Sequence, residues 1–190
     1  MSRFLTVAFA LLLFGIVNTA PVWADVVWDE SVDGDLADFS AIPTQLFFPF
    51  ANNEVIGTIG SVGQDFDDFF TFTIASDQQL DGAILLFYDP DLSGTGNETS
   101  IIELNEGPTF PVVGANDLGD ALFQTDLIGT NILPTGTLGP GTYTIRIGEG
   151  NGIADYQLSF NVSTIPEPST LGFLSTAAVV CGFRRRRSVC

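Results

Sequence analysis

The chain has 190 residues, 23 acidic side chains against six arginines, no lysine and no histidine, and a formal net charge of −17. Without histidine there is no Ser-His-Asp or Cys-His catalytic set and no histidine ligation of zinc or copper. The acidic excess excludes nucleic acid as a partner, because phosphate binding needs basic residues.

The N-terminus reads as an export signal. Arg3 supplies a positive start, residues 4–17 are apolar, and Val22-Trp23-Ala24 offers small or apolar residues at the −3 and −1 positions of a cleavage site. Cleavage between Ala24 and Asp25 leaves a mature domain over residues 25–164, large enough to bury a real core. That domain holds 22 of the acidic residues and one basic residue, Arg146, for a net charge near −21. Such a balance favours solubility and association with cations. Cys181 and Cys190 both lie in the C-terminal tail, so the domain has no disulfide and relies on its core.

Next come the acidic clusters. Asp29, Glu30, Asp33, Asp35 and Asp38 surround Gly34 in one short run, and Asp65, Asp67 and Asp68 form a second. Closely spaced carboxylates suit calcium, which takes six to eight oxygen ligands. The EF-hand loop pattern is not met. Asp29, Asp33, Asp35, Asp65 and Asp67 are the candidate calcium ligands; an exposed acidic turn is the competing reading. Asp89 and Asp91 flank Pro90, first of all a turn former. No carboxylate pair can be singled out as a glycosidase acid and nucleophile.

The predicted elements are strands. Residues 69–74 alternate, with Phe70, Phe72 and Ile74 on one face. Residues 142–147 put Tyr143, Ile145 and Ile147 inward and Thr142, Thr144 and Arg146 outward. Residues 155–162 turn Tyr156, Leu158, Phe160 and Val162 inward. Period two over six to eight residues marks a half-buried strand. The apolar run 84–88 predicts a central strand buried on both faces. Weaker strands are expected at 26–28, 45–48, 54–59, 100–104 and 122–124. No segment carries a helical apolar stripe. Short strands between turn-rich pieces predict an all-β fold: a two-sheet antiparallel β-sandwich, jelly-roll-like. Arg146 is expected to pair with a neighbouring acid. Trp28 and Tyr88 are the better candidates for stacking on sugars.

The last residues form a tripartite tail. Pro166-Glu167-Pro168 is followed by the apolar stretch 171–183 and then by Arg184, Arg185, Arg186 and Arg187. Thirteen apolar residues make a helix of about 20 Å, short against a hydrocarbon core of about 30 Å. Snorkelling arginine stems extend it, and the positive-inside rule keeps the four arginines cytoplasmic. Pro166 and Pro168 keep the link before it extended.

This tail, over residues 165–190, resembles the PEP-CTERM sorting signal of bacterial exported proteins. The resemblance implies a transmembrane sorting helix, recognition by an exosortase, and removal of the tail. The strand segments resemble a second family. Asp65-Phe66-Asp67-Asp68-Phe69-Phe70-Thr71-Phe72-Thr73-Ile74, Leu85-Leu86-Phe87-Tyr88-Asp89, Leu138-Gly139-Pro140-Gly141-Thr142-Tyr143-Thr144-Ile145-Arg146-Ile147 and Tyr156-Gln157-Leu158-Ser159-Phe160 fall in the order of bacterial pre-peptidase C-terminal domains. That resemblance implies a small β-sandwich with an auxiliary binding or secretion role.

The expected protein is exported and non-enzymatic. It passes through the secretion machinery, is held briefly in the inner membrane of a Gram-negative bacterium, and ends at the cell surface or in the extracellular matrix with a structural role. The alternative is a module that binds calcium, extracellular polysaccharide or both.

Overall fold

The computed structural model describes residues 24–49, 51–60, 67–91, 100–111, 117–149 and 153–165. Nine strands appear in chain order among them: β1 (Asp25–Asp29), β2 (Thr44–Gln45), β3 (Ala51–Gly60), β4 (Asp67–Ile74), β5 (Gln78–Asp91), β6 (Ser100–Glu106), β7 (Asp117–Phe123), β8 (Gly141–Glu149) and β9 (Ile153–Thr164). One helical turn, α1 (Glu30–Asp33), and a 3₁₀ turn at Thr125–Leu127 complete the set. The strands form two sheets, ordered β1-β3-β9-β5 and β2-β4-β8-β6-β7.

The central pairs are antiparallel: β3 and β5 flank β9, and β4 and β6 flank β8. The edges depart from the wholly antiparallel expectation. β1 runs parallel to β3, and β2 runs parallel to β4. The cause is the path of the N-terminal segment. It pairs first with one sheet and then, after residues 30–43, with the other, each time alongside a strand, β3 or β4, that runs in its own direction.

Alternation places the core where the period-two pattern points. Phe70, Phe72 and Ile74 of β4, Tyr143, Ile145 and Ile147 of β8, and Tyr156, Leu158, Phe160 and Val162 of β9 are all buried. Phe48 stacks on Phe72 and on Phe160 with ring centroids 4.7 and 4.9 Å apart, and Phe70 meets Phe160 edge-on at 5.8 Å. Each buried aromatic contributes about 1.5–3 kcal/mol from apolar area alone. With no disulfide in the domain, this cluster between the sheets is its main internal tie.

The run 84–88 differs from its expectation. β5 carries an irregularity between Leu85 and Phe87, which shifts its register against β9. The extra residue turns both Leu86 and Phe87 outward, 38% and 45% exposed, before Tyr88 returns to the core. The strand is therefore buried on one face only. The strand expected at 45–48 is just Thr44–Gln45; beyond it Leu46 and Phe48 are buried while Phe47 is 77% exposed. Thr144 lies on the outer side of β8 as expected. It is nonetheless covered, because its Oγ1 donates to Gly107 O at 2.7 Å from the turn after β6.

Chain order fixes two ends to the sandwich. The turn from β4 to β5, the end of β9 and the start of β8 share one end. The start of β4, the end of β8 and the start of β9 share the other.

Candidate functional site

The acidic N-terminal arm folds on itself first. Asp29 caps α1, its Oδ1 accepting from Ser31 N at 3.0 Å and Ser31 Oγ at 2.6 Å. Asp33 Oδ2 accepts from Asp29 N at 3.0 Å. Gly34 ends the turn at φ 92°, a left-handed conformation that favours glycine, and its carbonyl accepts the Trp28 indole N–H at 3.1 Å. Asp29 and Asp33 are thus engaged in turn formation. Carboxylates at a helix N-terminus are what its free N–H groups call for.

Glu30 does something different. Its carboxylate reaches back to the sandwich, accepting from Leu36 N at 3.1 Å and from Thr58 N of β3 at 2.7 Å. It therefore pins the arm to the sheet, next to buried Leu36. Asp35 follows one residue before that anchor. From below comes Asp68, fully buried on the inward face of β4, in the same phase as Phe70 and Phe72. Its Oδ2 accepts from Tyr156 Oη at 2.6 Å. Tyr156 reaches it by lying across Gly57: a Cβ at Gly57 would sit 2.5 Å from Tyr156 Oη.

Carboxylate oxygens of Glu30, Asp35 and Asp68 lie within 4.8 Å of one another. Burial raises the Glu30 pKa above its ordinary 4.5, against the pull of the N–H groups of Thr58 and Leu36, and nearby Asp35 and Asp29 add to the rise. Burial also raises Asp35, with help from the Asp38 charge. The donor set fits calcium. All three ligands are hard oxygens, and two oxygens each about 2.3–2.6 Å from one ion lie no more than about 5 Å apart. Of the sequence candidates, the structure brings Asp35 to this point, and not Asp29, Asp33 or Asp67. Asp65 lies outside the described residues.

Asp67 belongs to a second constellation, on the outer face of the five-stranded sheet. Arg146 of β8 donates from Nε to Asp67 Oδ1 at 2.9 Å, places Nη2 2.8 Å from the same oxygen, and donates from Nη1 to Glu103 of β6. Burial alone would lower the Arg146 pKa; the hydrogen bonds and charges of Asp67 and Glu103 more than reverse that and raise it. The lone internal cation is paired with neighbouring acids, as its strand position suggested. Beside it is a cleft of about 300 Å³ lined by Phe69, Phe110, Asn105 and Asp117.

The proposed sugar-stacking rings are elsewhere engaged. Tyr88 is 4% exposed and shares a 3.0 Å hydrogen bond with Ser100 Oγ, while Trp28 is half-buried against the core. The exposed ring on that side of the molecule is Phe87, in a groove of about 310 Å³ with Ile56, Thr58, Asp155 and Gln157. It reaches the surface through the β5 irregularity, which no sequence pattern announced.

Ala24 and Asp25 begin the described residues. Pro166, Glu167, Pro168, Arg184, Arg185, Arg186 and Arg187 lie outside them, as does the apolar stretch 171–183. Among the described residues no helix is long and apolar enough to cross a membrane.

No family model matches the chain, and no curated protein matches it. Among solved structures it is similar to the pre-peptidase C-terminal domain of a collagenase from Bacillus anthracis, at 16% identity and a TM-score of 0.32, over 63% of this chain and 93% of that one. So distant a likeness carries no argument about this chain, whose two-sheet architecture stands on its own strand pairing.

Proposed function

We propose that this chain is an exported, non-enzymatic β-sandwich protein, jelly-roll-like and of the pre-peptidase C-terminal kind, with a structural role at the cell surface or in the extracellular matrix. The observation that carries this reading is the order of its ends: an apolar leader closing at Ala24, and a tail of Pro166-Glu167-Pro168, apolar 171–183 and four arginines. An exosortase then removes the tail after the secretion machinery has delivered the domain across the inner membrane. The test replaces Pro166 and Glu167 by alanine in the native host. The variant should accumulate in the inner membrane with its tail attached. Surface delivery at the parent level would sink the reading.

A second reading is favoured by the meeting of Glu30 and Asp35 of the N-terminal arm with Asp68 of β4. It is a calcium-binding module in which the ion would be held by those three carboxylates and would tie the N-terminal arm to the sandwich. Extracellular sites of this class bind at about 10⁻⁴–10⁻³ M, so a tenfold excess over Kd stabilises by roughly 1.4 kcal/mol. Calcium must raise the melting temperature more than sodium chloride of equal ionic strength, and Glu30→Gln with Asp35→Asn must abolish the difference. If the two salts act alike, the acids are only a solvated cluster. Polysaccharide is the matching surface ligand, and the Phe87 groove is where its binding should be sought.

A further inference from the structure

At the end of the sandwich where β9 finishes, an exposed ring and an apolar groove lie beside the last described residue of the chain. Phe47, 77% exposed, stands over a groove of about 650 Å³ lined by Phe48, Pro49, Thr73, Ala75 and Gln78. Ile165, 38% exposed, is fixed beside it, its N–H donating to Asp77 O at 2.8 Å in the turn that leads to Gln78. Only five residues, 166–170, separate Ile165 from the apolar stretch that starts at Leu171. Fully extended they span at most about 18 Å.

Charge is distributed to match. The five carboxylates between Asp29 and Asp38 lie towards the opposite end, with Asp67, Asp68 and Asp155. The acids near the β9 exit are Asp25, Asp77, Asp81, Glu106 and Asp117, each on a different segment or turn position. Acidic side chains are thus denser at the end farther from the tail, while Asp77 and Asp81 stay near the β9 exit.

We infer that the Phe47 end of the sandwich rests on the lipid bilayer while the tail is inserted, with Phe47, Pro49 and Ile165 entering the headgroup boundary. The inference rests on the routing reading above, since the tail supplies the tether. Given that tether, the apolar groove is the part of the domain held within reach of the membrane. The acidic end then faces water, away from anionic headgroups, which would repel it. Apolar side chains at such a boundary enter about 5–10 Å.

The experiment uses the chain cleaved after Ala24, with its tail intact, reconstituted in vesicles of phosphatidylcholine with brominated acyl chains, which quench tryptophan on contact. Phe47→Trp reports on the patch. Val32→Trp, at a site 79% exposed on α1, reports on the acidic end. The unsubstituted chain gives the background from Trp28. Co-flotation with the vesicles reports tail insertion separately. The expected result is flotation with at least about twofold stronger quenching at position 47 than at position 32, as boundary insertion requires. Flotation with equal quenching overturns the docking and leaves the tether standing. Failure to float overturns both. Shielding at position 47 that ignores bromine and grows with protein concentration assigns the patch to a second copy, and also overturns the proposal.

Discussion

Gly57→Ala separates two physical effects by sign. Gly57 faces Tyr156 across the β3–β9 pair and is not among the positive-φ residues, so alanine suits its backbone. Unfolded-state entropy alone then predicts a gain of about 0.4–1 kcal/mol. The side-chain environment predicts the reverse. A Cβ at this position would lie 2.5 Å from Tyr156 Oη and 2.6 Å from Cζ, and Tyr156 is 1% exposed, so its ring has no room to swing aside. Overpacking of this kind costs about 1–3 kcal/mol. Displacing the ring also breaks the 2.6 Å hydrogen bond to Asp68. Losing a bond to a buried polar partner costs about 1–3 kcal/mol more. The net expectation is a loss of about 3 kcal/mol, or on the order of 10 °C in Tm for a domain of this size. Thermal unfolding followed by circular dichroism measures it. In a Tyr156→Phe background the hydrogen bond is already absent, so the same substitution should cost visibly less. A Gly57→Ala protein as stable as the parent, or more so, would show that Tyr156 does not occupy the space over Gly57.

Other substitutions test neighbouring parts of the account. Phe72→Ala removes a ring that is 1% exposed and stacked on Phe48, and should cost about 3–5 kcal/mol in urea unfolding, while exposed Thr73→Ala should stay within about 0.5 kcal/mol; equal midpoints would mean the strand phase is wrong. Arg146→Gln strands Asp67 and Glu103, and because Arg146 is 31% exposed the cost should be about 1–2 kcal/mol and shrink in molar salt. The pH dependence follows from Glu30 and Asp35, whose folded pKa values lie above the ordinary 4.5 and 3.8. Between the ordinary and the raised values the folded state binds more protons than the unfolded, so stability contributed by these groups is present at low pH and falls as pH rises through that window. Urea midpoints from pH 4 upward should show Glu30→Gln flattening this fall; an unchanged slope would count against a strained carboxylate at position 30.

The sequence was legible where one pattern dominated. Period-two alternation marked the inward faces of β4, β8 and β9 because each sets apolar side chains inward and mostly polar ones outward, even where Phe69, Thr71 and Thr144 on the outer side are covered. The same alternation contained the signal for Asp68: an acid in phase with Phe70, Phe72 and Ile74 has to point inward. Read as part of a turn cluster, that phase goes unused. Glu30 was hidden differently. Among five carboxylates in one short run, only the tertiary contact with Thr58 N on β3 sets it apart, and no local spacing encodes a contact 28 residues away. The β5 irregularity was equally silent, since 84–88 reads the same whether its extra residue bulges or not. The parallel edge strands depend on where the N-terminal segment docks, a choice made by Leu36, Leu46 and Phe48 packing into the core and not by residues 25–29 alone.

The routing claim is tested most directly by intact-mass measurement of the protein taken from the surface of its native host. The account predicts a chain that begins at Asp25 and ends at or near Pro166-Glu167-Pro168, with no species containing Arg184, Arg185, Arg186 and Arg187. A surface-located chain that still ends at Cys190 would contradict it.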